Sequence, residues 1–366
     1  MTERPDALSD SLLAASSLDQ AWTLPGSWYT DPAVYRYELE HVFASAWQLI
    51  GHRNSLAKAG DFLVSDIAGA PVLAVRDRSD KIRAFYNVCR HRAGPVATGH
   101  GNCTLLRCRY HGWVYELDGS LRHAPEMDGT RNFDATTIGL EGLELGVTDS
   151  LLFVRNSGES ALVADIARVV REINDRIGPQ TLGSHRLYQR VSYDMRCNWK
   201  VYVDNYLEGY HIPQVHPELA EILDYRQYVT ETFAGYSLQH SSIESATAAY
   251  SAGDAYYYFV FPNIMLNILP GRLQTNVVIP LGPDRCRVDF DYYYLETESA
   301  AAREQITEDL SFGDLVQQQD VAICQQVQTG LSSGSYERGR LSAKREAGVH
   351  HFQECLRSVF RNATQR

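Results

Sequence analysis

The chain has 366 residues, 44% of them hydrophobic and 22% charged, with a formal net charge of −11. That length accommodates two domains, each with its own core, and the composition is that of a folded globular protein rather than a disordered or membrane-embedded one. The negative balance argues against nucleic acid, whose phosphates it would repel.

The N-terminal stretch MTERPDALSDSLLAASS lacks the basic start and sustained apolar core of a signal peptide, which points to the cytoplasm. Residues 31 to 47, DPAVYRYELEHVFASAW, open on an Asp cap and a Pro at the first helical position, and the apolar spacing predicts a helix. From about 60 to 155, short apolar runs alternate with turn signals: DFLVSDI, PVLAVRD, KIRAFYNV, WVYEL before Asp118-Gly119, and SLLFVRN. They predict a small all-β domain. Residues 160 to 176 read as a helix, and NWKVYVDNYLEGYHIP (198–213) as a longer one stopped by Pro213. Strands return in AYYYFVF, QTNVVIP and RCRVDFDYYY; the run AYYYFVFPNIMLNILP (255–270) is too short and too interrupted to cross a bilayer and reads as buried strands. A helical region from about 300 to 329, with Gly330 as its stop, and a helix near 346 to 361 complete the chain. The expected fold class is α+β: an N-terminal segment and helix (1–45), a small β domain (46–157), and a domain with an antiparallel sheet and flanking helices (158–366).

CRHRAGPVATGHGNCTLLRCRYHGW (89–113) carries the first chemistry. Cys89 and His91 are one residue apart, and Cys108 and His111 two, so each of two loops brings one thiolate and one imidazole. Structural zinc sites usually pair cysteines with cysteines and histidines with histidines. In a two-iron cluster with mixed ligation, two thiolates hold one iron and two imidazoles the other, which lifts the potential to roughly −150 to +300 mV. A tetrahedral zinc site is the alternative. Gly94, Pro95, Gly112, Tyr110 and Trp113 suit tight, shielding loops, and Cys103 reads as a free thiol among seven scattered cysteines. The stretch resembles the Rieske motif, and that resemblance implies that Cys89, His91, Cys108 and His111 ligate a [2Fe–2S] cluster. Ala93 stands where that family usually has Gly.

NWKVYVDNYLEGYHIPQVH carries the second. On a continuous helix Asp204, Glu208 and His211 share one face at about 100° per residue, and a break at Pro213 lets His216 fold back beside His211. Two histidines and a carboxylate form the facial triad of non-haem Fe(II) oxygenases, although such a pair alone reads equally well as surface or core histidines. Order and spacing resemble the helix-grip catalytic domain of Rieske non-haem iron oxygenases, and the likeness covers about residues 25 to 355. It implies His211 and His216 as iron ligands, with Asp320 of FGDLVQQQDVAICQQVQTG as the third, in preference to Asp314 or Glu308. It counts Asp204 and Asn205 among the catalytic residues, with Asn205 close to the iron without firmly binding it. Glu208 takes the bridging position, usually Asp, between His211 and His111 of a neighbouring subunit, which implies a head-to-tail homotrimer.

The resemblance further implies O2 as co-substrate, a small organic substrate, and NAD(P)H-derived electrons delivered by a flavin/[2Fe–2S] reductase or a ferredoxin. Glu at the bridging position resembles oxygenases of choline, carnitine and betaines, and the tyrosine runs 256–258 and 292–294 could cage a quaternary ammonium. An aromatic ring-hydroxylating dioxygenase or aromatic demethylase is the alternative. From other classes, a Rieske electron-transfer protein without oxygenase activity or a zinc-stabilised binding protein would leave His211 and His216 unexplained.

Overall fold

The computed structural model describes residues 3–156, 165–223, 225–243 and 251–363. The chain forms two compact units, Trp47–Glu159 and Met1–Ala46 together with Ser160–Arg366.

The sheets of the first unit are antiparallel, with 3-10 turns at Arg53–Leu56 and Ala135–Thr137. Strands β1 (Gln48–His52), β10 (Leu151–Arg155) and β9 (Glu144–Thr148) pair in that order. A second sheet runs β4 (Ile82–Tyr86), β3 (Ala70–Arg76), β2 (Asp61–Ile67), β5 (His100–Asn102), and a third β6 (Leu106–Arg107), β7 (Val114–Tyr115), β8 (Leu121–His123). Leu73, Val75, Phe85, Leu106, Trp113 and Tyr115 form a core that also takes in Cys89 and Cys108. Alternation along β3 and β4 sends the other side chains to a second core around Ile50, Leu56, Val72, Ala74 and Leu152.

In the second unit a short helical turn at Asp10–Leu13 precedes α1 (Gly26–Thr30) and α2 (Pro32–Glu38). The Asp31 carboxylate caps α2 by accepting from the Ala33 N–H at 2.7 Å, and Pro32 occupies the first turn, where its missing N–H costs nothing. The helix expected through Trp47 stops being α-helical at Glu38 and continues as one π turn over Leu39–Phe43. The N-terminal segment clusters with the second unit, where Glu38 is wholly buried against Lys200 and Trp199. Helix α3 (Ile166–Ile177) is capped by Asp165, and the earlier part of its expected span lies outside the described residues.

A seven-stranded antiparallel sheet follows in the order β11 (Arg186–Met195), β17 (Arg285–Tyr294), β16 (Arg272–Gly282), β15 (Ile264–Leu269), β14 (Gly253–Val260), β13 (Tyr236–Ile243), β12 (Val229–Phe233). The apolar run 255–270 is the β14–β15 hairpin, as its pattern predicts. Helices α4 (Trp199–Tyr206), α5 (Ile212–Val215), α6 (Ala300–Ser332) and α7 (Ala347–Ala363) accompany the sheet. Trp199 and Phe259 both pack edge-on against Phe352 of α7, at 5.7 and 5.6 Å between ring centroids.

Two helix ends differ from expectation. Helix α6 runs through Gly330 to Ser332, and the chain turns only at Gly334, whose φ is +73°. Helix α4 ends at Tyr206 instead of continuing to Pro213, and Pro213 lies in the first turn of α5, so it starts a helix rather than stopping one. At Gly209, in the intervening turn, a Cβ would lie 2.8 Å from the Tyr228 ring, so tertiary packing shapes the chain there. Among the described residues no helix is long and apolar enough to cross a membrane.

Candidate metal centres

In the β unit, Cys89 lies on the loop after β4 and Cys108 on the loop after β6. Both thiols point into the core, whereas His91 is exposed and His111 partly so. The imidazoles meet at 4.5 Å between centroids, and His91 stacks flat on Trp113 at 5.1 Å. The loops approach closely because Gly94 has no side chain: a Cβ there would lie 3.0 Å from the Cys108 sulfur. Ala93 holds φ +58°, a left-handed conformation that costs a non-glycine residue about 1 kcal/mol or more and explains glycine's usual place there. The Tyr115 hydroxyl accepts from the Arg90 N–H at 2.9 Å and lies 3.1 Å from the Cys89 sulfur. Two inward sulfurs and two outward imidazoles suit a two-iron cluster. None of the seven cysteines is in a disulfide, and Cys103 is not one of the four candidate ligands.

In the second unit, among the described residues, donor atoms of His211, His216 and Asp320 do lie within 4.8 Å of one another. His216 Nε2 is 3.0 Å and His211 Nε2 3.7 Å from Asp320 Oδ1. The far side of each ring is fixed: His211 Nδ1 donates to Glu208 Oε1 at 2.7 Å and His216 Nδ1 to Gln319 Oε1 at 2.7 Å. With a metal bound, those bonds would leave the Nε2 lone pairs to face it, the tautomer a metal requires. Asn205 Nδ2 donates to Asp320 Oδ1 at 2.7 Å. This donor set fits a divalent iron with positions left open.

Asp204, Glu208 and His211 do not share one helix face, because α4 ends at Tyr206. Glu208 sits in the turn after α4, and its second oxygen accepts from the N–H groups of Tyr210 and His211. Asp204 is turned from the triad and accepts from the Tyr29 hydroxyl at 2.5 Å and from Gln353 at 3.3 Å. Asp314 accepts from Tyr193 instead of joining the donors. Gln319, next to Asp320 in sequence, was missed: a glutamine in a QQQ run carries no signal that one amide reaches a histidine.

Burial pushes the Asp204 carboxyl up to about 7, against the hydrogen bonds of Tyr29 and Gln353 and the charge of Lys200. In the unfolded chain it titrates near about 4. The folded state therefore holds the extra proton between those values, and stability falls as pH rises through that window. Asp204→Asn removes this slope, so its stability relative to the parent is about 2 kcal/mol more favourable at pH 8 than at pH 5.5. Urea denaturation at both pH values measures this, and an equal difference at both contradicts it.

Two cavities meet Asn205, Glu208 and His211. One, of about 140 Å³, is lined also by His216, Asp320, Tyr206, Tyr228, Tyr257, Phe290, Phe312, Arg272, Gln274 and Asn276. The other, of about 520 Å³, includes Tyr29, Asp204, Cys324, Tyr336, Glu346 and Gln353. Of the tyrosine runs 256–258 and 292–294, only Tyr257 lines the first cavity. Strand alternation sends its neighbours elsewhere.

Residues 46–134 match the Rieske [2Fe-2S] domain family and residues 182–362 the ring hydroxylating alpha subunit (catalytic domain) family. Choline monooxygenase of Arabidopsis thaliana is 36% identical over 93% of this chain and 83% of its own length. The chain belongs to the Rieske ring-hydroxylating oxygenase family. Like other Rieske oxygenases it is an oxidoreductase with a [2Fe–2S] cluster and a mononuclear iron, and it uses O2 to oxygenate a small organic substrate. The oxygenase subunit of carnitine monooxygenase from Escherichia coli strain K12 is 28% identical over 94% of this chain and 95% of its own. A solved quaternary ammonium Rieske monooxygenase superposes with a TM-score of 0.88 at 25% identity, covering 98% of this chain and 100% of that one.

Proposed function

We propose that this Rieske oxygenase hydroxylates a quaternary ammonium compound, with the C–N cleavage or further oxidation that such hydroxylation allows, and draws its electrons from a flavin/[2Fe–2S] reductase or a ferredoxin. The observation that carries this reading is the convergence of His211, His216 and Asp320 in the wall of a cavity faced by Tyr206, Tyr228, Tyr257, Phe290 and Phe312. Ring faces attract a cation by about 0.5 to 2 kcal/mol, and a trimethylammonium head needs no hydrogen-bond partner. The similarity to choline and carnitine monooxygenases supports the same substrate class.

In this reading His211, His216 and Asp320 hold the iron, and Cys89, His91, Cys108 and His111 hold the cluster. When bound, these groups supply single electrons at a raised potential and open positions for O2 beside the substrate. The protein's own part is positional. Glu208 and Gln319 orient the two imidazoles, Asn205 holds Asp320, and the aromatic wall excludes water from the bound cation. Glu208 also serves as the partner of His111 from a neighbouring copy in a homotrimer, supported by the exposure of the His91–His111 edge. Five cysteines outside the cluster site, none of them in a disulfide, suit the cytoplasm.

The test is to expose chemically reduced enzyme to O2 with choline, carnitine and glycine betaine on one side and benzoate on the other, following products by mass spectrometry. Oxidation of a trimethylammonium compound supports the reading; turnover of the arene alone sinks it.

Tyr115 gives a separate expectation. Its hydroxyl accepts from the Arg90 N–H, which leaves its own proton for the Cys89 sulfur. Burial first, then the Cys89 contact, pushes the phenol well above its usual value, so it stays a donor. A hydrogen bond to sulfur favours the reduced cluster, and one worth about 1 kcal/mol corresponds to roughly 40 mV for one electron. Tyr115→Phe therefore lowers the cluster potential by about 40 mV in a redox titration; an unchanged or raised potential contradicts the assignment.

A further inference from the structure

Strand β16 presents Arg272, Gln274 and Asn276 at alternate positions, all buried and all lining the cavity that holds the iron donors. Three consecutive inward positions of a central strand are thus polar, where apolar side chains would be cheaper to desolvate. Their hydrogen bonds have only one possible direction. Asp309 of α6 accepts from Arg272 Nη1 at 2.6 Å and from the Tyr294 hydroxyl at 2.5 Å, which closes a neutral buried pair. A guanidinium has no acceptor, so the Gln274 oxygen must be the atom facing Arg272 Nη2. The Gln274 nitrogen then faces Asn276 Oδ1, at 2.8 Å. This fixes the Asn276 amide with its oxygen toward Gln274 and its NH2 away from it, an assignment no flip can reverse without placing donor against donor. Among the described residues Asn276 Nδ2 has no acceptor.

The chain Asp309–Arg272–Gln274–Asn276 is thus a row of aligned dipoles whose negative end is sealed by α6 and whose positive end opens on the cavity. Each bond polarises the next.

We propose that Asn276 is a specificity-determining residue that anchors an acceptor oxygen of the substrate, a carboxylate in preference to a hydroxyl, with Arg272 and Gln274 as positioning residues. The inference rests on the quaternary ammonium reading for the other end of the substrate and makes that substrate zwitterionic: the cationic head lies against the rings and the carboxylate on Asn276.

The test is equilibrium binding to intact, anaerobic enzyme, by calorimetry, of three matched probes: 4-(trimethylammonio)butanoate, the corresponding alcohol, and butyltrimethylammonium. The parent is expected to bind the carboxylate at least tenfold more tightly than the alkyl cation, with the alcohol between. Asn276→Leu weakens the carboxylate by about 10- to 100-fold and leaves the alkyl cation within about threefold. Asn276→Asp keeps the shape and the Gln274 bond but replaces the donor by an anionic oxygen; it weakens the carboxylate at least as much and does not weaken the alkyl cation. This variant carries the test if Asn276→Leu fails to fold. Equal losses on all three probes, or no loss on the carboxylate, overturn the anchor, and equal losses on alcohol and carboxylate overturn the preference for the anion. If the parent binds benzoate and none of the three probes, the substrate reading fails on its own. The anchor is then judged by benzoate against toluene: a loss confined to benzoate supports it and an equal loss overturns it. A parent that binds neither group of compounds overturns both.

Discussion

Asp320→Ala is expected to yield folded protein that keeps two irons and two sulfides per chain, lacks the third iron, and loses more than about a hundredfold in oxygenation. Groups that merely orient metal-bound histidines are typically worth about 10- to 100-fold, and in the proposed site Asp320 would supply a donor atom itself. Without it His211 and His216 offer only two neutral donors to the ion. His216→Ala behaves the same way. Gln319→Ala should fall in the lower range, because the His216 ring survives and only the 2.7 Å bond that fixes its tautomer is lost. Asp314→Ala is the control, since that carboxylate bonds Tyr193 and leaves the iron count unchanged. Metal and sulfide analysis with oxygen uptake measures all four; Asp320→Ala protein with three irons per chain contradicts the assignment.

Lys200→Met is expected to destabilise the second unit by about 3 to 5 kcal/mol. Lys200 Nζ lies 2.6 Å from Glu38 Oε1, with both side chains fully buried, and Trp199 Nε1 donates to the other Glu38 oxygen at 2.8 Å. Burial drives the Glu38 carboxyl up and the Lys200 amine down, and each partner's charge resists the shift in the other. Removing the amine leaves a carboxylate with one indole N–H in an apolar surround. The melting transition of this unit should drop by about 8 to 15 °C at neutral pH. The double variant Glu38→Leu/Lys200→Met removes both charges and should recover much of the loss. A double variant no more stable than Lys200→Met would mean that shape, not charge, sets the cost.

This ion pair also shows where sequence reading stops. The β unit was legible because its strands carry period-two runs between turn signals, and its four candidate ligands because each lies within three residues of its neighbour in the motif. His211, His216 and Asp320 were legible through the resemblance; their convergence required the fold. Periodicity alone extended α4 over Glu208, since it could not register the Gly209 contact with Tyr228, a residue 19 positions on. The same error put Asp204 on the iron face. Partners distant in sequence were hidden for a related reason: Glu38 for Lys200, Tyr29 for Asp204 and Asp309 for Arg272 are joined by tertiary packing, and no local pattern announces them. The polar ladder of β16 was hidden differently. Its residues alternate as a strand should, and only the face they share with the iron donors distinguishes them from packing.

The central claim is that this chain holds two separate iron centres, a mixed-ligand two-iron cluster on the β unit and a single iron on the helix-and-sheet unit. Counting iron, zinc and acid-labile sulfide on anaerobically purified protein, with an electron paramagnetic resonance spectrum after dithionite, tests it most directly. About three irons and two sulfides per chain with a Rieske-type signal are expected. Zinc without sulfide would contradict it.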